Sequence, residues 1–312
     1  MRQVLALASL ALACGASASG APPQAPAASS VVPATPALTM ADVLGASTID
    51  DWRVPDPENT VYLELGPGAG EGRVVLELAP AFAPRHVDNV RALVRAGYFD
   101  HAFIVRVQEN YVVQWSDPDG THPLGAAART LPGEFDRSAA GLDFTPLPDP
   151  DTFAPEVGFV SGFPAARDPS ANVAWLVHCY GMLGAGRDNA ADSGGGTELY
   201  VVTGHAPRQL DRNVTLLGRV LSGMDRLTTL PRGSAALGFY EKPEQRVPIT
   251  RVRLAADLPE PERTAIEILR TDTATFRALV EARRNRREEW FLKPAGHIDV
   301  CNVPLVVRTL SR

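Results

Sequence analysis

Apolar and polar positions alternate over Thr60–Leu65, where Val61, Leu63 and Leu65 oppose Tyr62 and Glu64, and a second strand-like run follows over residues 73–78. The Gly- and Pro-rich stretch 66–72 joins the two runs, so together they predict a half-buried antiparallel hairpin. The period then changes. Over Pro84–Arg95 the residues Val87, Val90 and Val94 fall on one helical face, Pro84 suits a first turn and Gly97 supplies a stop, which predicts a helix packed on that hairpin. Two short β-branched and aromatic runs come next, 103–107 and 111–115, separated by the polar Gln108-Glu109-Asn110; they predict a strand pair. Only Arg106 interrupts the first run. A guanidinium in so apolar a strand must reach water or be held by partners, because burying it unpaired costs several kcal/mol.

Residues 117–157 carry many Pro, Gly and Asp and little periodicity, which predicts a long, functional or mobile excursion. Strand character resumes over 173–178, 198–203, 214–220 and 247–254, and Gly223-Met224-Asp225-Arg226-Leu227 opens a second short helix. The glycine-rich 181–196 lacks Gly-Lys-Ser/Thr and a following helical pattern, so it is a poor phosphate loop. A short helix is expected from Thr39 to Leu44. Beyond Pro259 a helix is expected over 273–287, capped by Asp272 or Thr273, then a last strand over 298–307. Arg283, Arg284, Arg286 and Arg287 sit at that helix's end, where the dipole favours cations, and read as a solvated terminus rather than an anion site. Many short strands with few helices describe a mainly β barrel or sandwich, with the tail an appendage packed on it.

The chain has 312 residues, 45% of them apolar, enough to bury a core, and a mild net charge of −6 that gives no nucleic-acid surface. No apolar run reaches the roughly 18–20 residues of a membrane span. The apolar run 4–13 after Arg2, followed by Cys14-Gly15-Ala16-Ser17-Ala18, has the form of a signal peptide, with cleavage after Ala18 or lipid attachment at Cys14. Export to the periplasm or the exterior is the expectation, with 19–38 a disordered Ala/Pro-rich linker. Cys179 and Cys301 then remain as a candidate disulfide, although spacing alone does not bring their α-carbons within reach. His178 beside Cys179 does not make a nucleophile pair, because neighbours on a strand point to opposite faces.

Three blocks, in order, resemble the cyclophilin family of peptidyl-prolyl cis-trans isomerases. They are Ala83 to Val90 leading to Gly97-Tyr98-Phe99-Asp100; Arg106 with Tyr111-Val112-Val113-Gln114 and Asp117; and Gly218 to Asp225. The resemblance implies an eight-stranded antiparallel β-barrel closed by two helices over residues 58–255, with an insertion at about 118–172. An N-terminal extension over 39–57 and a helix-containing C-terminal extension over 256–312 would flank it. It also implies rotation about Xaa-Pro bonds of proline-containing polypeptides, with no cofactor and no metal.

By the same resemblance Arg106 is the catalytic arginine and Gln114 the glutamine that holds substrate backbone. Tyr111 and Val112 form the floor of the proline pocket, and Tyr200 and Leu210 complete it, with Glu198 also on the substrate side. This chain departs from the family pattern at Ile104-Val105, Gln209, Val214 and Glu198, and the long insertion is expected to be able to cover the site. An ionised Glu198 only accepts hydrogen bonds, where glutamine also donates, and it is expected to pair with Arg106 in the empty site. These departures keep a second reading open, a proline-peptide-binding module or chaperone of weak turnover.

Overall fold

Eight antiparallel strands close on one another: β1 (Thr60–Leu65), β2 (Gly72–Leu78), β3 (Phe103–Val107), β4 (Val112–Ser116), β5 (Met182–Ala185), β6 (Leu199–Val202), β7 (Leu216–Ser222) and β8 (Val247–Leu254). Around the barrel they run β5-β6-β4-β3-β8-β1-β2-β7, and β7 pairs back with β5. The architecture belongs to the computed structural model, which describes residues 38–310 apart from Ala69. The expected signal peptide over 1–18 with Cys14, and the expected linker up to residue 37, lie outside the described residues.

Inward side chains such as Leu63, Leu76, Ile104, Trp115, Leu183 and Val201 fill the barrel. Helix α1 (Pro84–Arg95) buries Val87, Val90, Leu93 and Val94 against them, and the short α2 (Met224–Thr228) adds Leu227. Pro84 begins α1 as its sequence suggests, but the residue before it, Ala83, offers no side-chain cap. Glu134 of the insertion supplies one instead, accepting from the amides of Arg85 and His86 at 3.1 and 2.9 Å. A carboxylate on a helix's positive end is favourable both as an acceptor and as a charge.

The region expected to be an excursion is folded. Arg137–Ser138, Val173–Leu176, Phe163–Asp168, Glu156–Val160 and Phe144–Pro146 form, in that order, a five-stranded antiparallel sheet. Val173–Leu176 is the expected strand; the other four are six residues or shorter with connections crowded with turn residues, so their period-two signal never lengthens enough to read. Buried side chains of this sheet, among them Phe159, Trp175 and Leu176, share one apolar cluster with Phe276 and Leu279 of the helix Ala274–Arg284, which Thr273 caps. Phe159 and Phe276 meet edge to face at 5.1 Å.

In the tail, Ile266–Leu269 pairs with both Trp52–Arg53 and Val307–Thr309 in a three-stranded sheet. The strand expected over 298–307 is therefore corrected. Asp299 caps a single 3-10 turn, Val300–Asn302, and extended pairing begins only at Val307. That turn brings Cys301 to Cys179, and the two form a disulfide with α-carbons 4.9 Å apart. At the helix end Arg284 pairs with the buried Asp149 at 2.8 Å and Arg286 with Glu288 at 3.1 Å, so the terminus expected to be solvated is half-buried and ion-paired.

Candidate active site

The β3–β4 pair sets the site. Ile104 faces Trp115 and Val107 faces Val113, all inward, while Arg106 faces Gln114 on the outside. Alternation alone cannot turn both Ile104 and Val107 inward, since three positions separate them. Val105 is the extra residue of a β-bulge, which restores the phase and aims Arg106 outward. On β6, Tyr200 lies opposite Gln114, so Arg106, Gln114 and Tyr200 stand side by side on three neighbouring strands.

They line a groove of about 800 Å³ together with Tyr111, Val112, Glu198 and Leu210. All seven residues singled out in the sequence thus meet in one place. Gly184 is the reason Tyr200 fits: a Cβ there would sit 2.3 Å from the Tyr200 ring. Val214 lines the groove too, whereas Gln209 does not and is exposed.

Arg106 is held from several sides. Its Nε donates to the Leu237 carbonyl at 2.6 Å, its Nη1 to Gln114 Oε1 at 3.2 Å and its Nη2 to Gln108 Oε1. Phe239 and Tyr111 present rings 5.4 and 5.5 Å from the guanidinium carbon. Burial works against the charge and lowers its pKa, with Tyr111 opposing the shift only in part. Three N–H groups are engaged, and a guanidinium has five.

Glu198 does not pair with Arg106. Its Oε2 accepts from Gln114 Nε2 at 2.7 Å, so Gln114 stands between the two and bridges them. The carboxylate can only accept, which turns the Gln114 amide nitrogen toward it and leaves the oxygen for the guanidinium.

Beneath the pocket, the Tyr200 hydroxyl meets His178 Nε2 at 3.0 Å, and His178 Nδ1 meets Asp211 Oδ1 at 2.9 Å. Since Asp211 accepts, Nδ1 carries the proton and, in a neutral ring, Nε2 accepts from Tyr200. Burial pushes the Tyr200 hydroxyl far above its usual pKa, so it remains a donor. Arg208 extends the chain, donating to Asp211 at 2.7 Å and to both oxygens of Asp151 at 2.8 and 2.9 Å. His178 is thus a buried support for the pocket floor and Cys179 is in a disulfide, as expected of residues that are not a nucleophile pair.

Asp151 is how the insertion serves this region. No residue of 118–172 lines the groove, which corrects the expectation that the insertion could cover it. The segment that does reach over Arg106 follows α2: Leu237 and Phe239 line the groove, and the Phe239 backbone forms a β-bridge with Arg106. Sequence reasoning missed these two and the rim residues 187–190. The available signal was Leu237, Phe239 and Tyr240, three large apolar residues in a turn-rich stretch with no strand period to use them.

A family model described as Cyclophilin type peptidyl-prolyl cis-trans isomerase/CLD matches residues 61–254. The "Probable peptidyl-prolyl cis-trans isomerase" of Brucella suis is 29% identical over 210 residues, covering 66% of this chain and 89% of the relative. The human "Peptidyl-prolyl cis-trans isomerase-like 1" is 26% identical over 211 residues, covering 67% of this chain and 95% of the relative. Among solved structures, cyclophilin AquaCyp293 from Hirschia baltica superposes with a TM-score of 0.66 at 27% identity. That likeness spans 84% of this chain and 95% of the other, reaching beyond the residues that the family model matches. With the matched model spanning the whole barrel and its groove, the chain belongs to the cyclophilin family of peptidyl-prolyl cis-trans isomerases.

Proposed function

We propose that this isomerase acts on exported polypeptides and that its turnover rests on Arg106, with Gln114 orienting the substrate backbone. The observation that carries this is the meeting of a guanidinium with spare donors and an apolar notch, lined by Tyr111, Val112, Tyr200 and Leu210, in one groove. Export is supported by the leader-like N-terminus and by a disulfide, which persists in oxidising compartments.

A peptide bond resists rotation because nitrogen donates into the carbonyl, giving a barrier of about 18–20 kcal/mol. Unaided Xaa-Pro exchange takes tens to hundreds of seconds. Reaching milliseconds requires about 7 kcal/mol of preferential transition-state binding. As the amide twists, its nitrogen becomes pyramidal and basic. A free N–H of Arg106 donates to that nitrogen, a bond available in the twisted state and not in the planar one. Such a charge-assisted bond contributes about 1.5–3 kcal/mol, so the rest must come from holding the ring while the other side turns. The notch grips the proline ring; Gln114, with one amide N–H left after Glu198, holds the rotating carbonyl side.

A second reading is favoured by one contact: Glu198 occupies Gln114, as it would in a proline-binding module of low turnover. Xaa-Pro exchange measured by NMR separates the two. Arg106→Ala is expected to lower the exchange rate ~10–100-fold while peptide affinity stays within a few-fold. Equal rates for wild type and variant would remove Arg106 from the mechanism, and binding without exchange in the wild type would mark a module.

A further inference from the structure

Four charged side chains line the prolyl groove, and its two cations do not neutralise its two carboxylates. Arg106 is held by the Leu237 carbonyl and by the amide oxygens of Gln114 and Gln108. Arg187 donates from Nε to the Asn213 carbonyl at 2.8 Å and from Nη1 to the carbonyls of Asp188 and Asn189 at 2.7 and 3.2 Å. All of these acceptors are uncharged. Glu198 and Asp188 are both exposed in the groove, and among the described residues neither side chain forms an ion pair.

Glu198 is the better placed of the two. It stands just before β6, where the Gly186 amide donates to its carbonyl at 2.8 Å and holds the ends of β5 and β6 side by side. Gly186 leaves room for the carboxylate, since a Cβ there would stand 3.2 Å from Glu198 Cβ and 3.4 Å from its Oε2. Oε2 accepts from Gln114 Nε2, and Oε1 keeps its lone pairs free among the described residues. In the mechanism above Gln114 holds the carbonyl of the residue that precedes proline. Glu198 lies beyond Gln114 on the side away from Arg106, so a substrate side chain that reaches it comes from the N-terminal side of the proline.

We propose that Glu198, with Asp188 on the same rim, makes the groove select basic clients: Xaa-Pro segments that carry lysine or arginine at one of the two positions before the proline. The proposal rests on the isomerase reading of the groove and names the substrate class it takes. A cation brought to Glu198 meets a carboxylate that no side chain of the protein has neutralised, and Asp188 adds to the same field. Because the site is exposed, the gain is that of a solvated ion pair, about two- to fivefold over a neutral side chain. An acidic side chain at the same place is repelled, which widens the discrimination between clients.

Short proline peptides that carry lysine, norleucine or glutamate at either of the two positions before the proline test this, with exchange rates and affinities both read by NMR. Lysine is expected to exceed norleucine about two- to fivefold at one of the positions, with glutamate lowest. The lysine-to-norleucine ratio should shrink as salt rises from about 0.1 to 1 M. Glu198→Gln is expected to remove most of that ratio, and Glu198→Gln with Asp188→Asn to bring it to one; a ratio cancels any change in overall turnover that the variants cause. Equal figures for lysine and norleucine at both positions in the wild type, or a ratio that survives in the double variant, overturn the proposal. Binding without exchange in the wild type would count against the isomerase reading alone, because the affinity ratio still decides the preference for basic clients.

Discussion

Arg106 Nε and the Leu237 carbonyl oxygen lie 2.6 Å apart, a bond that joins positions separated by 131 residues. It ties the functional end of β3 to a loop whose Leu237 has φ of 59°, a left-handed conformation that a branched residue adopts at some cost. The surrounding bonds pay for that strain: the Tyr240 amide reaches the Val105 carbonyl of the bulge at 3.0 Å, and the Gly233 amide reaches Val107 at 2.9 Å.

The same loop presents Phe239 to the guanidinium. A cation–π contact at a partly exposed site contributes about 0.5–1 kcal/mol, so Phe239→Ala is expected to lower Xaa-Pro exchange roughly two- to fivefold. NMR exchange spectroscopy on a proline peptide reads this directly. A rate equal to wild type would mean the ring does not position Arg106.

Glu198→Gln replaces a carboxylate that only accepts with an amide that also donates. The bond to Gln114 then loses its charge assistance, about 1 kcal/mol, and the Gln114 amide is released to face substrate. Exchange is expected to rise by roughly two- to fivefold. An unchanged or lower rate, measured under the same conditions, would show that the Glu198–Gln114 bond does not restrain turnover.

Acid should loosen the support beneath the pocket. Burial alone would raise the Asp151 carboxyl, but the Arg208 pair and the Phe153 amide outweigh it and hold the pKa below the ordinary value. Asp149 is depressed in the same way, against burial, by Arg284 and the Ile298 amide. A depressed folded-state pKa gives stability that is present above the unfolded value, about 3.9, and is lost as pH falls through the folded one. Urea midpoints are therefore expected to fall below about pH 4. The fall should be shallower in Asp151→Asn; equal slopes would show that Asp151 carries no linked proton.

Closing a loop of 122 residues with a disulfide contributes about 4–5 kcal/mol in the chain-entropy account. Cys301→Ser is expected to lower the thermal midpoint markedly and to expose the tail to proteolysis first, since the bridge anchors the segment around Val300. Xaa-Pro exchange at 25 °C should persist, because neither cysteine lines the prolyl groove. Loss of exchange in a folded variant would show that the tail and the groove are coupled.

Thr60–Leu65, Pro84–Arg95 and Val247–Leu254 were legible because each carries its own period, and the seven groove residues were legible because a family resemblance ordered them around Arg106. That local alternation marked seven of the eight barrel strands, whereas Met182–Ala185 in its glycine-rich stretch and the bulge at Val105 that sets the inward faces of β3 left no such signal. Tertiary structure alone decided the four strands of the insertion that join Val173–Leu176 in a sheet, since each stops before a period accumulates, and the Leu237–Phe239 segment laid against Arg106. It also decided that Glu198 reaches Gln114 instead of the guanidinium. The reason is physical: periodicity records which side of an element faces the core, whereas a hydrogen bond or ion pair between distant residues depends on where whole strands come to rest beside one another.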